Sequence, residues 1–379
     1  MREVVIAGVG IHPFGRFPDK DYRDLGREAT LMALKDANVT WPKIQMSFVG
    51  NVMSEMTKGH QVLNYFGELG NPIVNIENAC ASGGVSLWMA RNAIASGQCD
   101  IALVLGVEKA PKGFIANCGY DRWQMYTGMG ANPAHFAMLT QEYAAKNGLT
   151  KEHLAQISVK NHRNGVHNPY AMYRKETPLE EVLNSIMVSP PLTLLMLCAP
   201  NEGAAAAVLM AKDVVEKYTE RYVTIAGCAF TAKSPVDQIF PDFSVPTAAN
   251  IPFVTERCGK TAYDEAGIGP EDIDLAELQD TDVGLEIRAM DYLGLVKKGE
   301  IARAIETGEI EPTGRMPINV SGGLLSKGEP LGASSMGQIV ECTWQLRGDA
   351  GPRQIKDAKV ALCHTEGAAG NCSITILKK

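Results

Sequence analysis

Several features that would place a chain early are missing from this one. Lys and Arg number 36 against 43 Asp and Glu, for a net charge of -7. No cationic excess is present to track a phosphate backbone, so nucleic acid is not an expected partner. Long apolar runs are missing too. The most apolar stretch, SIMVSPPLTLLMLCAPNEGAAAAVLMA, is broken by Pro190, Pro191, Pro200, Asn201 and Glu202, which excludes a membrane-spanning helix there. The opening MREVVIAGVGIHPFG enters a strand pattern directly, without the apolar core and small-residue cleavage site of a secretory signal. Nine cysteines include no C-x-x-C pair, which argues against a zinc site or a disulfide framework and for reduced thiols in a cytoplasmic protein that carries no metal. AGVGIHPFG lacks the third glycine of the dinucleotide fingerprint, and neither a Walker motif nor G-x-S-x-G occurs.

What the chain does contain is a repeat of itself. VVIAGVG at 4–10 has a counterpart in VTIAGCA at 223–229, and ALKDANVTWPKIQMSFVG from Ala33 aligns with AYDEAGIGPEDIDLAELQ from Ala262. CDIALVLGVE at 99–108 pairs with AKVALCHTEG at 358–367, and ACASGGVSLWMARNAIASG with LGASSMGQIVECTWQLRG. Strand patterns rich in Val, Ile and Ala alternate with amphipathic helical ones in both copies, which predicts an α/β protein of two duplicated βαβ-type halves. The region between about 112 and 215 has no partner in the second half and reads as an insertion capping one face. The expected organisation is therefore an N-terminal half over 1–111, an inserted loop and helical region with a return to that half over 112–215, and a C-terminal half over 216–379.

In α/β proteins ligands gather beyond the carboxyl ends of strands, where a helix N-terminus favours negative charge. VNIENACASGG puts Cys80 between a strand pattern and a helix opened by Ala81, Ser82, Gly83 and Gly84. Such a thiol is suited to nucleophilic attack, but free cysteine is also among the most buried residue types, and the local pattern leaves both readings standing. Three other strand-end loops join it. CHTEGAAGN carries His364 and Glu366, ELQDTD carries Gln279, Asp280 and Asp282, and NVSGGLLSKGEPLGASS carries Asn319, Lys327 and Glu329. Of seven histidines only His364 follows residue 167, so a Cys–His pair built by both halves needs His364 or a histidine of the insertion. CAPNEGAAAAVLM reads as a turn at Asn201 to Gly203 followed by a buried helix or strand. Lys160, His162, Arg163, Arg174 and Lys175 form the best local basic patch; such patches are usually solvated faces, and the alternative is a grip on phosphate.

Taken together, these loops resemble the thiolase superfamily, nearest its sterol-carrier-protein-type and archaeal-type branch, almost from end to end. NIENACASGG is similar to the nucleophile loop, NVSGGLLSKGEPLGASSMGQ to the Asn-x-x-Gly-Gly and Gly-His-Pro loop, and HTEGAAG to the last catalytic loop. The resemblance implies a layered αβαβα fold, Cys80 as acyl acceptor and His364 as the main acid/base. It also implies coenzyme A as co-substrate, a homodimer, and a separate zinc-ribbon/OB-fold partner protein. Oxyanion or substrate contacts fall to Asn319, Gly322, Gly323, Gly367 and Gly370, and coenzyme A contacts to Arg163 and Lys160. Two departures stand out. Glu329 replaces the histidine of Gly-His-Pro, and Gln279 opens the loop that reads His-Asp-x-Phe in the branch. A carboxylate beside Cys80 opposes its thiolate, so Glu329 must be protonated, hydrogen-bonded away, or the base itself, while Gln279 can donate an N–H but cannot move a proton.

The expected activity is that of an acyl-CoA C-acyltransferase cleaving or forming a 3-oxoacyl-CoA. The specific substrate suggested by the resemblance is benzoylsuccinyl-CoA, split to benzoyl-CoA and succinyl-CoA. Two alternatives accompany it: a non-thiolytic, retro-aldolase-like C–C lyase, and a weakly catalytic acyl-CoA-binding scaffold subunit.

Overall fold

The computed structural model describes residues 2–53, 56–113, 115, 122–126, 130–234, 253–368 and 370–379. Its strands are β1 (Val4–Gly15), β2 (Met46–Gly50), β3 (Ile73–Ile76), β4 (Ile101–Lys109), β5 (Met187–Ser189), β6 (Leu192–Thr193), β7 (Glu202–Ala211), β8 (Val223–Ala232), β9 (Leu275–Leu278), β10 (Val360–Gly367) and β11 (Asn371–Lys378). Nine of them form one sheet in the order β3-β2-β4-β7-β1-β8-β11-β10-β9. The repeat in the sequence is a repeat in this order. From the central joint outwards one side runs β1-β7-β4-β2-β3 and the other β8-β11-β10-β9, closed by a single parallel bridge between Ala276 and Ile318. In both halves the second strand is antiparallel to its neighbours, while the outer ones are parallel. The joint itself is narrow, with only Val5 facing Thr224 and Ile6 facing Val223.

Alternation along the strands divides the core into three. Ala205, Ala207 and Leu209 of β7, with Ala361 and Cys363 of β10, face an inner layer containing the helices Ser82–Ala95 and Ser334–Arg347. Ala204, Ala206 and Val208 face the outer helix Tyr22–Asp36. Leu362 of β10 and Ile374 and Ile376 of β11 face the outer helix Val254–Ala266. Two outer helices, two half-sheets and an inner helical layer make the αβαβα arrangement. Strands covered on both faces read as continuous apolar runs, which explains why EGAAAAVLMA is buried throughout as β7. Glu202 and Gly203, expected in a turn, are the first two residues of that strand, because Gly203 and Glu202 pair with Glu108 and Lys109 of β4.

From the insertion, Ala137, Leu154 and Ile157, on helices Asn132–Asn147 and Lys151–Gly165, join the outer core of the C-terminal half. Among the described residues no helix is long and apolar enough to cross a membrane.

The inner layer is packed backbone to backbone. A Cβ on Gly106 would lie 2.5 Å from the carbonyl oxygen of Gly332 and 2.8 Å from Cα of Ala333, neither of which can rotate aside. Gly106→Ala should therefore lower stability by about 1–3 kcal/mol through overpacking, measured as a reduced midpoint in urea unfolding.

Candidate active site

The Cys80 loop is short and heavily tied. After β3 the backbone N–H of Asn78 donates to Ser82 Oγ at 2.8 Å, and that hydroxyl donates to the Ala79 carbonyl at 2.6 Å. Ala81 N–H reaches the Asn78 carbonyl at 3.1 Å and Ser82 N–H the Ala79 carbonyl at 3.0 Å. Ala79 sits at φ 49, a left-handed conformation that costs a residue with a Cβ about 1–3 kcal/mol and is held only where its surroundings enforce it. The result fixes Cys80, 8% exposed, one residue before the cap of a 14-residue inner helix. The C-terminal half closes on this loop. A Cβ on Gly367 would lie 2.6 Å from the Asn78 carbonyl oxygen, 3.0 Å from Ala81 N and 3.3 Å from Cys80 N, so only glycine lets β10 end there.

A second cluster is built from three loops. Glu329 is buried, and both its oxygens are engaged: Oε1 accepts from Gln279 Nε2 at 2.7 Å and Oε2 from the Cys198 thiol at 2.9 Å. Backbone bonds fix the loops to one another. Glu329 N–H donates to the Ala199 carbonyl at 2.9 Å, Cys198 N–H to that of Thr281 at 3.0 Å, and Gln279 N–H to that of His364 at 2.9 Å. Gln279 Nε2 also reaches Thr281 Oγ1 at 2.8 Å. Burial, and after it the Glu329 charge, push the Cys198 thiol well above the ordinary thiol range. One of the three alternatives set for Glu329 is thus met: both its oxygens are held in hydrogen bonds, from Gln279 and Cys198. Sequence reasoning did not single out Cys198. Its signal was present in CAPNEG, a thiol at the mouth of a fully buried strand.

Residues 4–184 match the family described as "Thiolase, N-terminal domain" and residues 247–379 that described as "Thiolase C-terminal domain-like". The chain belongs to the thiolase family. It is similar to "Sterol carrier protein 2" of Bos taurus, 35% identical over 401 residues, covering 99% of this chain and 72% of that protein. It is similar also to "Benzoylsuccinyl-CoA thiolase subunit BbsB" of Thauera aromatica, 35% identical over 378 residues and covering 98% and 96%. Among solved structures the "Ltp2-ChsH2(DUF35) aldolase" has the same fold, with a TM-score of 0.85 at 23% identity over 99% of this chain and 97% of that one. The protein is thus a thiolase-type acyltransferase by family.

This thiolase departs from the expected site in three places. His364 lies on the face of β10 turned from the inner helices. On β10 the neighbours Cys363 and Thr365 face the inner helices, Thr365 through Gln338 Oε1 at 3.0 Å. His364 points the opposite way, where its Nε2 lies 3.3 Å from Thr255 Oγ1 on the outer helix and Nδ1 has no partner among the described residues. Burial lowers its pKa to about 3, so the imidazole is neutral. Second, the glycine loop is occupied by the protein itself. Asn319 Oδ1 accepts from Leu278 N–H at 2.7 Å and its Nδ2 donates to Glu286 at 2.7 Å. Gly322 N–H goes to the Asn319 carbonyl at 2.9 Å. Leu324 and Leu325 N–H donate to the Asp280 carboxylate at 2.6 and 3.1 Å, and a Cβ on Gly323 would strike that carboxylate at 2.1 Å. The group in this cradle is the Asp280 carboxyl, so an oxyanion role for Asn319, Gly322 and Gly323 is corrected to a structural one. Gly370 closes the β10–β11 hairpin, with N–H to the Gly367 carbonyl at 3.2 Å; of the proposed glycines, Gly367 is the one shown against the Cys80 loop.

Third, the basic patch dissolves. Lys160 is buried, with Nζ bound to Asn161 at 2.6 Å, the Ile318 carbonyl at 2.8 Å and Glu286 at 2.9 Å. Arg163 is paired with Glu311 at the surface. The two are neighbours on the helix, three residues apart, but Lys160 is buried and committed to an interior charge, so it does not grip phosphate. Among the described residues no group of three or more His, Cys, Asp or Glu is placed to hold a metal.

Two outcomes follow. Lys160→Ala strands Glu286 and should destabilise by about 3–5 kcal/mol, against about 0.5 kcal/mol or less for Arg163→Ala, both read from urea midpoints. For His364 the ordinary pKa of 6.5 exceeds the folded value, so below pH 6.5 the unfolded chain takes up a proton that the folded chain refuses, and stability falls as pH drops towards 3. The slope is about 1.4 kcal/mol per pH unit. His364→Gln should remove this share, narrowing the loss of stability between about pH 7 and about pH 5 by about 2 kcal/mol.

Proposed function

We propose that this thiolase transfers an acyl group through Cys80, cleaving or forming a 3-oxoacyl-CoA, and that its substrate is benzoylsuccinyl-CoA. The observation that carries the reading is the Cys80 loop, strained at Ala79, pressed against Gly367, and placed at the start of an inner helix whose Gly83 packs on the Gly332 carbonyl of the Glu329 loop. A thiol at a helix N-terminus is where the thiolate form is favoured. Cys80 attacks the keto carbon, the adjacent C–C bond breaks, and its electron pair passes to the leaving thioester enolate, which is then protonated. Free coenzyme A takes the acyl group from Cys80. Splitting one difficult transfer into two is the gain of covalent catalysis.

The 35% identity to a benzoylsuccinyl-CoA thiolase subunit supports the substrate. That relative is named as a subunit, and the aldolase of like fold is named together with ChsH2(DUF35). These names support a separate partner chain here, expected to be of zinc-ribbon/OB-fold type, beside a homodimeric core in the cytoplasm.

The same aldolase favours a second reading, a retro-aldol cleavage without an acyl-enzyme, and the glutamate and glutamine where histidines were expected fit altered chemistry. The two separate on Cys80. With a panel of 3-oxoacyl-CoA thioesters that includes benzoylsuccinyl-CoA, plus coenzyme A, the thiolase reading expects paired thioester products and an acyl adduct at Cys80 by mass spectrometry. Cys80→Ala should then lose on the order of 10³-fold or more in cleavage rate. A variant that cleaves as fast as the parent chain is a lyase.

A further inference from the structure

The insertion reaches the two loops of the Glu329 cluster through one side chain. Asn161, on the helix Lys151–Gly165, is fully buried, and so are the two carboxyls it meets, Asp280 after β9 and Glu286 on the helix Val283–Tyr292. Its Nδ2 donates to Asp280 Oδ2 at 2.8 Å and to Glu286 Oε2 at 2.6 Å, and its Oδ1 accepts from Lys160 Nζ at 2.6 Å. We propose that Asn161 is a positioning residue for acyl transfer: it fixes the loop of Gln279 against the loop of Glu329, which makes the insertion part of the frame of the site. This inference rests on the reading of Cys80 as acyl acceptor and adds to it a residue from the insertion.

The residue type is dictated by its surroundings. An amide nitrogen has two hydrogens, one for each carboxyl, and the amide oxygen takes a proton of the ammonium group. Turned over, the same amide would set its oxygen against two carboxyls and its nitrogen against Lys160, so one orientation is allowed. Aspartate at this position would be a third buried carboxyl, with no hydrogen to give once ionised. Leucine, of similar size, would leave three buried polar groups short of a partner, each at a cost in free energy.

What Asn161 holds leads to the site through two parallel ties. The Asp280 carboxyl accepts from Leu324 N–H at 2.6 Å and from Leu325 N–H at 3.1 Å, while its chain neighbour Gln279 donates to Glu329 Oε1 at 2.7 Å. Both ties join the same two loops, so the first sets the offset at which the second can form. Glu286 Oε2 also accepts from Asn319 Nδ2 at 2.7 Å, which holds the Glu329 loop at its start as well. Beyond Glu329 this loop meets the inner helix that follows Cys80. A Cβ on Gly83 would lie 3.1 Å from the Gly332 carbonyl oxygen, and Gly84 N–H donates to Ser335 Oγ at 2.9 Å. Shifting such a frame by about 1 Å can cost about 10²-fold in rate.

Two variants of one helix separate positioning from bulk stability. Leu154→Ala weakens the packing of the helix in the outer core and leaves the hydrogen bonds of the network in place. Asn161→Ala removes them. The full chain, with its partner if one co-purifies, is assayed with coenzyme A and the 3-oxoacyl-CoA of the panel that the parent cleaves fastest. Rates are expressed per Cys80 that takes an acyl adduct at completion by mass spectrometry, which counts competent molecules only. Asn161→Ala should lose about 10- to 10²-fold in kcat with KM for coenzyme A within about twofold, while Leu154→Ala stays within about twofold in both. Asp280→Asn, which cuts the same tie from its other side, should lose as much, and the double variant no more than either.

Asn161→Asp adds a readout in pH. The charged groups around this position are Lys160 on its own helix, Asp280, Glu286 and, beyond Asp280, Lys327 with Glu277. Protonated, the new carboxyl still donates to one neighbour; ionised, it donates to none. The kcat of this variant relative to the parent should therefore fall as pH is raised from about 6 to about 9. If Asn161→Ala is insoluble, Asn161→Asp at about pH 6 and Asp280→Asn carry the comparison. A kcat in the Asn161 variants equal to that of Leu154→Ala overturns the positioning role and leaves the acyl-enzyme intact. No adduct on the parent chain with any thioester of the panel overturns the acyl-enzyme reading itself, and this role with it.

Discussion

Everything in this molecule turns on how closely the two inner helices approach. Gly84 N–H donates to Ser335 Oγ at 2.9 Å across the boundary between the halves, and a Cβ on Gly83 would lie 2.6 Å from the same hydroxyl. Small residues at both helix starts let backbone meet backbone, where larger ones would hold the half-sheets apart. Because the helices follow the Cys80 loop in one half and the Glu329 loop in the other, their contact brings the two loops to one place. A site made from both halves is then a consequence of packing, and the narrow pairing of β1 with β8 suffices to join the sheets.

Beneath that contact lies a layer of buried charge. Lys160 binds Glu286, Lys327 lies 3.4 Å from Glu277, and Asp280 fills the turn that opens at Gly323. Buried ion pairs of this kind add little net stability over an apolar core, because desolvation offsets their attraction. What they do here is fix position. Asn319, at φ 52, bonds both Leu278 and Glu286, so the loop that ends at Glu329 has a single way to run. Asp280 itself is pushed up in pKa by burial and by the Glu286 charge, which marks how far from water this layer is.

The chemical character of the site follows from which polar groups that frame delivers. An amide at 279 and a carboxylate at 329 differ from imidazoles in what they can exchange: the amide orients and the carboxylate accepts. Cys198 adds a thiol S–H donor to that set. The cluster thus contains a proton acceptor, a proton donor and a fixed hydrogen-bond donor within one set of contacts, while the remaining C-terminal histidine is sealed behind the outer helix.

The duplication, the α/β alternation and the Cys80 loop were legible in the chain because they are carried by local pattern. Period and order survive in the sequence whatever the packing. Gln279 and Glu329 were legible as members of separate loops, and their contact was not. The errors share one physical origin. A strand has two faces, and the sequence gives the alternation of His364 with Cys363 and Thr365 without saying which face meets the inner helices. In the same way the run around Lys160 and Arg163 reads as one basic patch, until a helix turns one side chain inward to Glu286 and the other outward to Glu311. Cys198 was hidden for the complementary reason. Its meaning lies entirely in groups 81 and 131 residues away along the chain, Gln279 and Glu329, and only the folded arrangement of three loops brings the thiol and the carboxylate together.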